Sequence, residues 1–485
     1  MTKASPPINN GNQLTMALMV ASVLICVWGI WSVPILGHNE ARRMVVVQEM
    51  LNQGDWLLPT LNGQVYLAKP PLLYWLMAAS CTLFHTQAEW AMRLPSSLMA
   101  ILLLPLVLQL GVRQLGQGPA LCAVAILATS ESFIEFARTA QIEMLLTLTC
   151  TVSVFWFLDW LQTGQRQWLL LAYAAMGAAL LTKGPVALIF IIPPALACGL
   201  INRDGKLLRG LVSIQGWAIA LGIALPWFVY LFLWHKGLLA QVINEDIGDK
   251  VAGAGLGKSS PLYTYPLFLA GALAPWVLML CFRTRERLRA MWAVHEQRFL
   301  LIFALLPVLL MSLVAEKHGK YLLPVFPCLA LVLGSWCHDC YQRMLASHPG
   351  HTQKWTVAAV ALLLTGHLLF QVVITPRIYA YRFSALKPLA ATINRLAGNR
   401  PVYSHKEAAI QLVYYAKRPL PVKTTPEITA MINAHESFLL VATNQSWPEL
   451  ATMPLCQIQE YAPFLKPGHS ARLLGMGDFC TEAGP

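Results

Sequence analysis

What most constrains this chain is a succession of apolar runs, many of about 18 residues or more, divided by polar links. A helical run of that length matches a hydrocarbon core roughly 30 Å thick. Charge is scarce to the same degree. Only 12% of the 485 residues are Asp, Glu, Lys or Arg, 56% are hydrophobic, and mean hydropathy is +0.55. Soluble chains carry roughly 25% charged residues. The composition excludes a soluble globular or disordered chain and predicts a polytopic membrane protein. A net charge of +12 in such a chain goes to cytoplasmic loops and anionic headgroups, and does not signal nucleic acid.

About eleven spanning helices are predicted, near 14–36, 94–112, 119–136, 144–161, 168–182, 184–201, 211–234, 261–282, 299–315, 321–340 and 355–374. The first run lacks a small-residue cleavage site and is read as a retained helix. The stretch 70–84 is apolar but short, opens on Pro70-Pro71 and carries Tyr74 and Trp75, which suits a helix lying in the interface. With 70–84 out of the count and a cytoplasmic N-terminus, the basic loops fall on the cytoplasmic side. They carry Arg113, Arg166, the set Arg203, Lys206 and Arg209, the set Arg283, Arg285, Arg287 and Arg289, and Arg343 with Lys354. This is the side the positive-inside rule requires. The outer face then receives 37–93, 137–143, 235–260, 316–320 and everything after 375.

That outer face gathers Glu40, Glu49, Asp55, Glu89, Glu143, Glu245, Asp246, Asp249 and Glu316 with Arg42, Arg43, Lys69, Arg138, Lys250, Lys258, Lys317 and Lys320. Mixed charge beside a membrane is expensive and points to a functional site, with ordinary loop solvation as the bland reading. Glu40 follows the first helix and is flanked by Arg42 and Arg43. It is either half of an ion pair or a base for an incoming hydroxyl. Asn39 can orient a hydroxyl but cannot take its proton. Glu143 opens a helix, as a cap or as a second acid. Lys69, Lys183 and Lys317 sit at edges of apolar segments, where a lysine either snorkels or holds a phosphate. Tyr321 adds a phenol near Lys317. Trp227 and Trp276 read as packing or interfacial aromatics. His235 and His318 lack partners at ligand spacing, and Cys337-x-x-Cys340 lacks a second pair, so no metal site is assigned.

From Pro376 the composition changes. Short strands are predicted at 401–404, 437–442 and 456–458, and helices near 384–397, 406–416 and 425–434. The chain thus divides into a membrane domain, 1–375, and a small α/β domain, 376–485, outside the cytoplasm by parity. Cys456 and Cys480 are then free to form a disulfide. The tail shows no catalytic constellation.

The first outer loop carries a family resemblance. Asn39-Glu40-Ala41-Arg42, Glu49-Met50 through Gly54-Asp55-Trp56, and Tyr66-Leu67-Ala68-Lys69-Pro70 resemble the gapless loop motif of the GT-C membrane glycosyltransferases. The similarity is to the protein O-mannosyltransferase-like group that includes the lipid A aminoarabinose transferases. Glu143, Lys183-Gly184-Pro185, Leu225-Pro226-Trp227, Pro275-Trp276, and Lys317 with Tyr321-Leu322-Leu323-Pro324 follow in family order. The resemblance covers about residues 14–340. It implies an interfacial helix in the first loop, a polyprenyl-phosphate sugar donor, and transfer on the periplasmic face of the bacterial inner membrane. It implies that Glu40 or Glu143 orients or deprotonates the acceptor while Arg42, Lys69, Lys183 and Lys317 hold the departing phosphate, whose growing charge preplaced cations stabilise.

Two positions depart from the family. Asn39 stands where Asp is usual. Ala68 replaces a Glu that, with a later His, can hold a metal in the aminoarabinose-transferase branch. The later region here, Gly257 to Pro261, has no His, so a divalent metal is not supported by the residues present. The expected protein is an all-α polytopic GT-C glycosyltransferase, inverting, with a small C-terminal α/β domain. Its acceptor is a lipid, glycan or protein of the cell envelope. A flippase of lipid-linked saccharide and a catalytically silent relative are the alternatives; no internal repeat favours the transporter.

Overall fold

The computed structural model describes residues 10–35, 37–235, 237, 260–281, 284–466 and 468–482. Glu245, Asp246, Asp249, Lys250, Lys258 and Arg283 lie outside the described residues. The chain forms two compact units. One contains Met1–Trp28, Ala68–Leu73 and Arg93–Leu368, and the other Gly29–Leu67, Tyr74–Met92 and Leu369–Pro485.

The protein is a mostly helical polytopic membrane protein. Among the described residues, seven helical runs are long and apolar enough to span: Glu89–Leu115, Ile142–Thr163, Arg166–Ile201, Gly205–Trp234, His295–Ser312, Gly319–Ser347 and His351–Arg382. An eighth arises if Gln117–Ala128 and Glu131–Ala137, bent by 66°, form one span. Four predicted spans differ for local reasons. The segments 168–182 and 184–201 make one run, with an α-helix to Lys183, a 3-10 turn Gly184–Phe190 and a second α-helix Ile192–Ile201. The segment 261–282 is a nine-residue α-helix, Thr264–Ala272, and a 3-10 turn, Trp276–Cys281. Only Thr15–Val27 of the first run is an apolar helix. The helix Leu72–Leu83 has 12 residues, a rise of about 18 Å, too short to cross.

Packing in the membrane unit depends on small residues and on polar groups finding partners inside the protein. A Cβ on Gly334 would meet Pro119 O at 2.5 Å, so only glycine lets the Phe326–Ser347 helix lie this close to Gln117–Ala128. Ser97 Oγ donates to Ala137 O and Ser153 Oγ to Ala172 O, each at 2.8 Å. The Tyr173 hydroxyl donates to Gly210 O and Leu211 O. Trp227 is buried, and Trp276 Nε1 donates to Thr129 Oγ1 at 2.7 Å, which makes both packing residues.

The second unit begins with the helix His38–Gln53, stopped by Gly54 at φ 74°, a left-handed geometry that glycine adopts freely. Asp55 Oδ1 then accepts from the amides of Leu57 and Leu58. A two-residue hairpin follows, β1 (Thr60–Leu61) and β2 (Gln64–Val65), held by Glu49, which accepts from Thr60 Oγ1 and the Gly63 amide. The tail builds a five-stranded mixed sheet from β3 (Val402–His405), β4 (Val422–Lys423), β5 (Phe438–Thr443), β6 (Cys456–Tyr461) and β7 (Ala471–Met476), in the order β4-β3-β5-β7-β6. β3 runs parallel to β4 and β5, and β7 antiparallel to β5 and β6. Cys456 and Cys480 form a disulfide with a Cα separation of 5.7 Å.

Within this unit the tail grips the first loop. The helix His38–Gln53 packs on Ile410–Ala416. The Asn62 side chain donates to Leu420 O at 2.9 Å and accepts from Leu420 N at 2.6 Å. Tyr414 Oη donates to Gln87 O at 2.6 Å. Tyr415 Oη lies 3.0 Å from Glu89 Oε1 and accepts from the Ile35 amide. Lys387 Nζ lies 3.5 Å from the same Glu89 oxygen.

Candidate active site

Three of the sequence-predicted residues come together in the membrane unit. Glu143 occupies the first turn of Ile142–Thr163, and Lys183 is the last residue of Arg166–Lys183. Helix dipoles favour an anion at the first position and a cation at the second. Lys183 Nζ lies 3.6 Å from Glu143 Oε1, with side-chain exposures of 8% and 2%. The ammonium also stands 4.6 Å from the centre of the Tyr321 ring, within cation–π range. Tyr321 belongs to the 3-10 turn Gly319–Val325. The motif Lys183-Gly184-Pro185 builds its share of this cluster. Gly184 takes φ 70°, ψ −158°, a conformation nearly restricted to glycine, and Pro185, with no amide hydrogen, opens the following turn.

Lys317 is buried, and its Nζ donates to Ser260 O at 2.8 Å and Val314 O at 2.9 Å. The two carbonyls fix the ammonium but carry no formal charge, so its positive charge remains available to an anion. Lys69 is half-buried, and its Nζ donates to its neighbour's Ala68 carbonyl. Arg138, predicted among the outer cations, has a structural role: its guanidinium donates to Ile25 O at 2.9 Å and to Trp28 O at the end of the first helix.

The second unit holds Asn39, Glu40 and Arg42. Glu40 is 1% exposed, in the first turn of His38–Gln53, while Asn39 is exposed and Arg42 half-buried. Arg43 donates to Asn39 O, the carbonyl one helical turn earlier. Burial, then the nearby Arg42, push the His38 pKa down from 6.5, against the attraction of Glu407. Glu49 and Asp55, predicted among the outer acids, are occupied with turn amides.

Sequence reasoning treated Glu143 and Lys183 separately and missed their pairing. The signal was present in one acid opening a helix and one cation closing the next. It also missed the grip of Tyr414, Tyr415 and Leu420 on the first loop, for which adjacent tyrosines are a faint cue. Among the described residues no three His, Cys, Asp or Glu side chains gather at metal-binding distance. Ala68 offers no ligand.

A buried acid and ammonium at facing helix ends, beside a phenol, in a polytopic helical protein with a small sheet domain, define a membrane protein built to hold charge at the end of its spans. Residues 68–230 match the family described as dolichyl-phosphate-mannose-protein mannosyltransferase, and the resemblance read from the first loop therefore stands. The chain is 29% identical over 318 residues to the undecaprenyl phosphate-alpha-4-amino-4-deoxy-L-arabinose arabinosyl transferase of Pectobacterium atrosepticum, covering 61% of this chain and 54% of that protein. It spans less than two thirds of the length of the curated relatives it matches, 64% for an Aquifex aeolicus protein. Its fold is that of ArnT from Cupriavidus metallidurans, solved bound to undecaprenyl phosphate. The TM-score is 0.81 at 18% identity, over 95% of this chain and 98% of that one. The oligosaccharyltransferase AglB of Archaeoglobus fulgidus, solved with an inhibitory peptide and a dolichol-phosphate, matches at TM-score 0.56 and 12% identity. That match covers 89% of this chain and 69% of AglB.

Proposed function

We propose that this chain is an integral membrane glycosyltransferase that moves a sugar from a polyprenyl-phosphate carrier to a lipid, glycan or protein acceptor on the periplasmic face of the bacterial inner membrane. The observation that carries the reading is the buried Glu143–Lys183 pair with Tyr321, a preorganised charged group at the edge of the bilayer. The match of residues 68–230 supports it. In the reaction an acceptor oxygen attacks the anomeric carbon, and its proton passes to Glu40 or Glu143. The bond from that carbon to the phosphate oxygen breaks, and its electron pair stays on the phosphate. Arg42, Lys69, Lys183 and Lys317 are the cations that stabilise this charge, and Asn39 orients the acceptor.

The membrane domain is taken as 1–375 and the periplasmic domain as 376–485. Eleven crossings remain our reading, with Arg166–Ile201 counted as two. Arg166–Ile201 has 36 residues, about 54 Å as one straight helix, nearly twice the hydrocarbon thickness. The Cys456–Cys480 disulfide favours an oxidising compartment for the tail.

The test is single substitution. Glu40→Gln and Lys69→Ala each abolish transfer at unchanged protein level, and full activity in both removes the assigned site. Incubating the purified protein with a polyprenyl-phosphate sugar and acceptor extract separates the other classes. A flippase releases no free polyprenyl phosphate, and a silent relative binds donor without turnover.

A further inference from the structure

The amphipathic helix Thr284–Ala293 and the first half of His295–Ser312 enclose a groove of about 500 Å³. Leu288, Leu301, Ile302 and Leu305 form its apolar wall, and Arg289, Trp292 and Arg298 also line it. Leu288, Trp292 and Leu305 are 36%, 46% and 52% exposed, so the wall opens outward from the protein. The two cations differ in how they are held. Arg298 Nη1 donates to Asn202 Oδ1 and its Nε to Trp292 O, both at 2.6 Å, and its guanidinium stands 5.4 Å from the Trp292 ring centre. These partners fix it without neutralising it. The Arg289 side chain is exposed and makes no hydrogen bond or ion pair among the described residues.

We infer that this groove binds one anionic glycerophospholipid, with its phosphodiester against Arg289 and Arg298 and an acyl chain along the apolar wall. Three observations support this occupant. Arg298 stands at one end of the apolar wall, which extends along its helix to Leu305, a rise of about 10 Å, which fits within a leaflet of roughly 15 Å. Trp292 sits beside Arg298, the level at which tryptophan prefers the headgroup boundary. The guanidiniums match an anionic headgroup, whereas a zwitterionic lipid brings its own cation to the same place. The groove is also distinct from the candidate active site. It begins at the start of His295–Ser312, and Lys317 follows the end of that helix, about 27 Å along its 18 residues. The lipid is therefore drawn from the other leaflet.

The experiment uses the full chain purified in neutral detergent and exposed to phosphatidylglycerol or phosphatidylcholine with identical acyl chains, with bound lipid read by native mass spectrometry. Each surface cation is worth about a fivefold change in lipid affinity, so the wild-type protein retains phosphatidylglycerol about tenfold or more over phosphatidylcholine. Arg289→Gln touches no internal contact and lowers that preference several-fold. Arg289→Gln/Arg298→Gln lowers it further, with a melting curve confirming the fold of each variant. Equal retention of the two lipids, or an unchanged preference in Arg289→Gln, overturns the inference. Displacement of the lipid by inorganic phosphate at matched concentration also overturns it, because it shows a site for the free anion.

Discussion

Replacing the buried partners Glu143 and Lys183 singly and together separates a structural ion pair from a chemical one. At 3.6 Å and an effective dielectric near 20, the two charges attract by about 4–5 kcal/mol, and desolvating both offsets much of that. Removing one partner leaves the other charged and buried, which costs about 3–5 kcal/mol. Glu143→Gln and Lys183→Met should each destabilise the protein by that amount in SDS titrations from mixed micelles. The double variant is neutral at both positions and should recover most of the loss, so its destabilisation falls well below the sum of the two singles. Sugar transfer follows a different order. If the acid and the ammonium act on substrate, the double variant folds well and stays as inactive as either single. Recovery of transfer together with stability refutes the assigned roles. A Lys183→Met protein as stable as the parent refutes the pairing argument itself.

Three further outcomes follow from other parts of the molecule. Cys456→Ser opens a crosslink between positions 24 apart; the chain-entropy relation gives a loss of about 3 kcal/mol in the tail, measurable as earlier proteolysis of the tail and reproduced by reductant. His38 and His405 both have pKa values pushed below 6.5 mainly by burial, so the unfolded chain takes up protons that the folded one resists. Stability of the second unit is then complete above pH 6.5 and falls as pH drops towards the folded values. Hydrogen exchange should show that slope, flattened in His405→Gln. Asn62→Ala removes both hydrogen bonds to Leu420, about 1–3 kcal/mol, and should raise amide exchange in β1 and β2 while leaving the helix Ile142–Thr163 unchanged.

The membrane class and the change to a strand-containing tail were legible from residues alone, because apolar run length and β-pattern are local properties. Boundaries were less so. Lys183-Gly184-Pro185 was read as the break between two spans, and the structure shows there a change from α-helix to a 3-10 turn. The tail strands β3, β5 and β6 were visible as β-branched or aromatic runs. β7, with Arg472 and Gly475 in its pattern, was not, since its place depends on pairing with β5 and β6. Likewise Glu49, Asp55 and Arg138 looked like site charges until their backbone partners were known. Composition marks where charge is costly, and only tertiary contacts show whether the cost is met by turn amides and helix ends or left for a substrate.

The clasp between Asn62 and Leu420 joins points 358 residues apart. At synthesis rates of about 5–20 residues per second, the segment carrying Glu40 waits roughly 20–70 s for its partner to be made. Through that interval the nascent chain inserts most of its spans with the loop unlatched. A protein truncated before Leu420 would retain the spanning helices and every proposed catalytic side chain, yet lack the latch between the first loop and the tail.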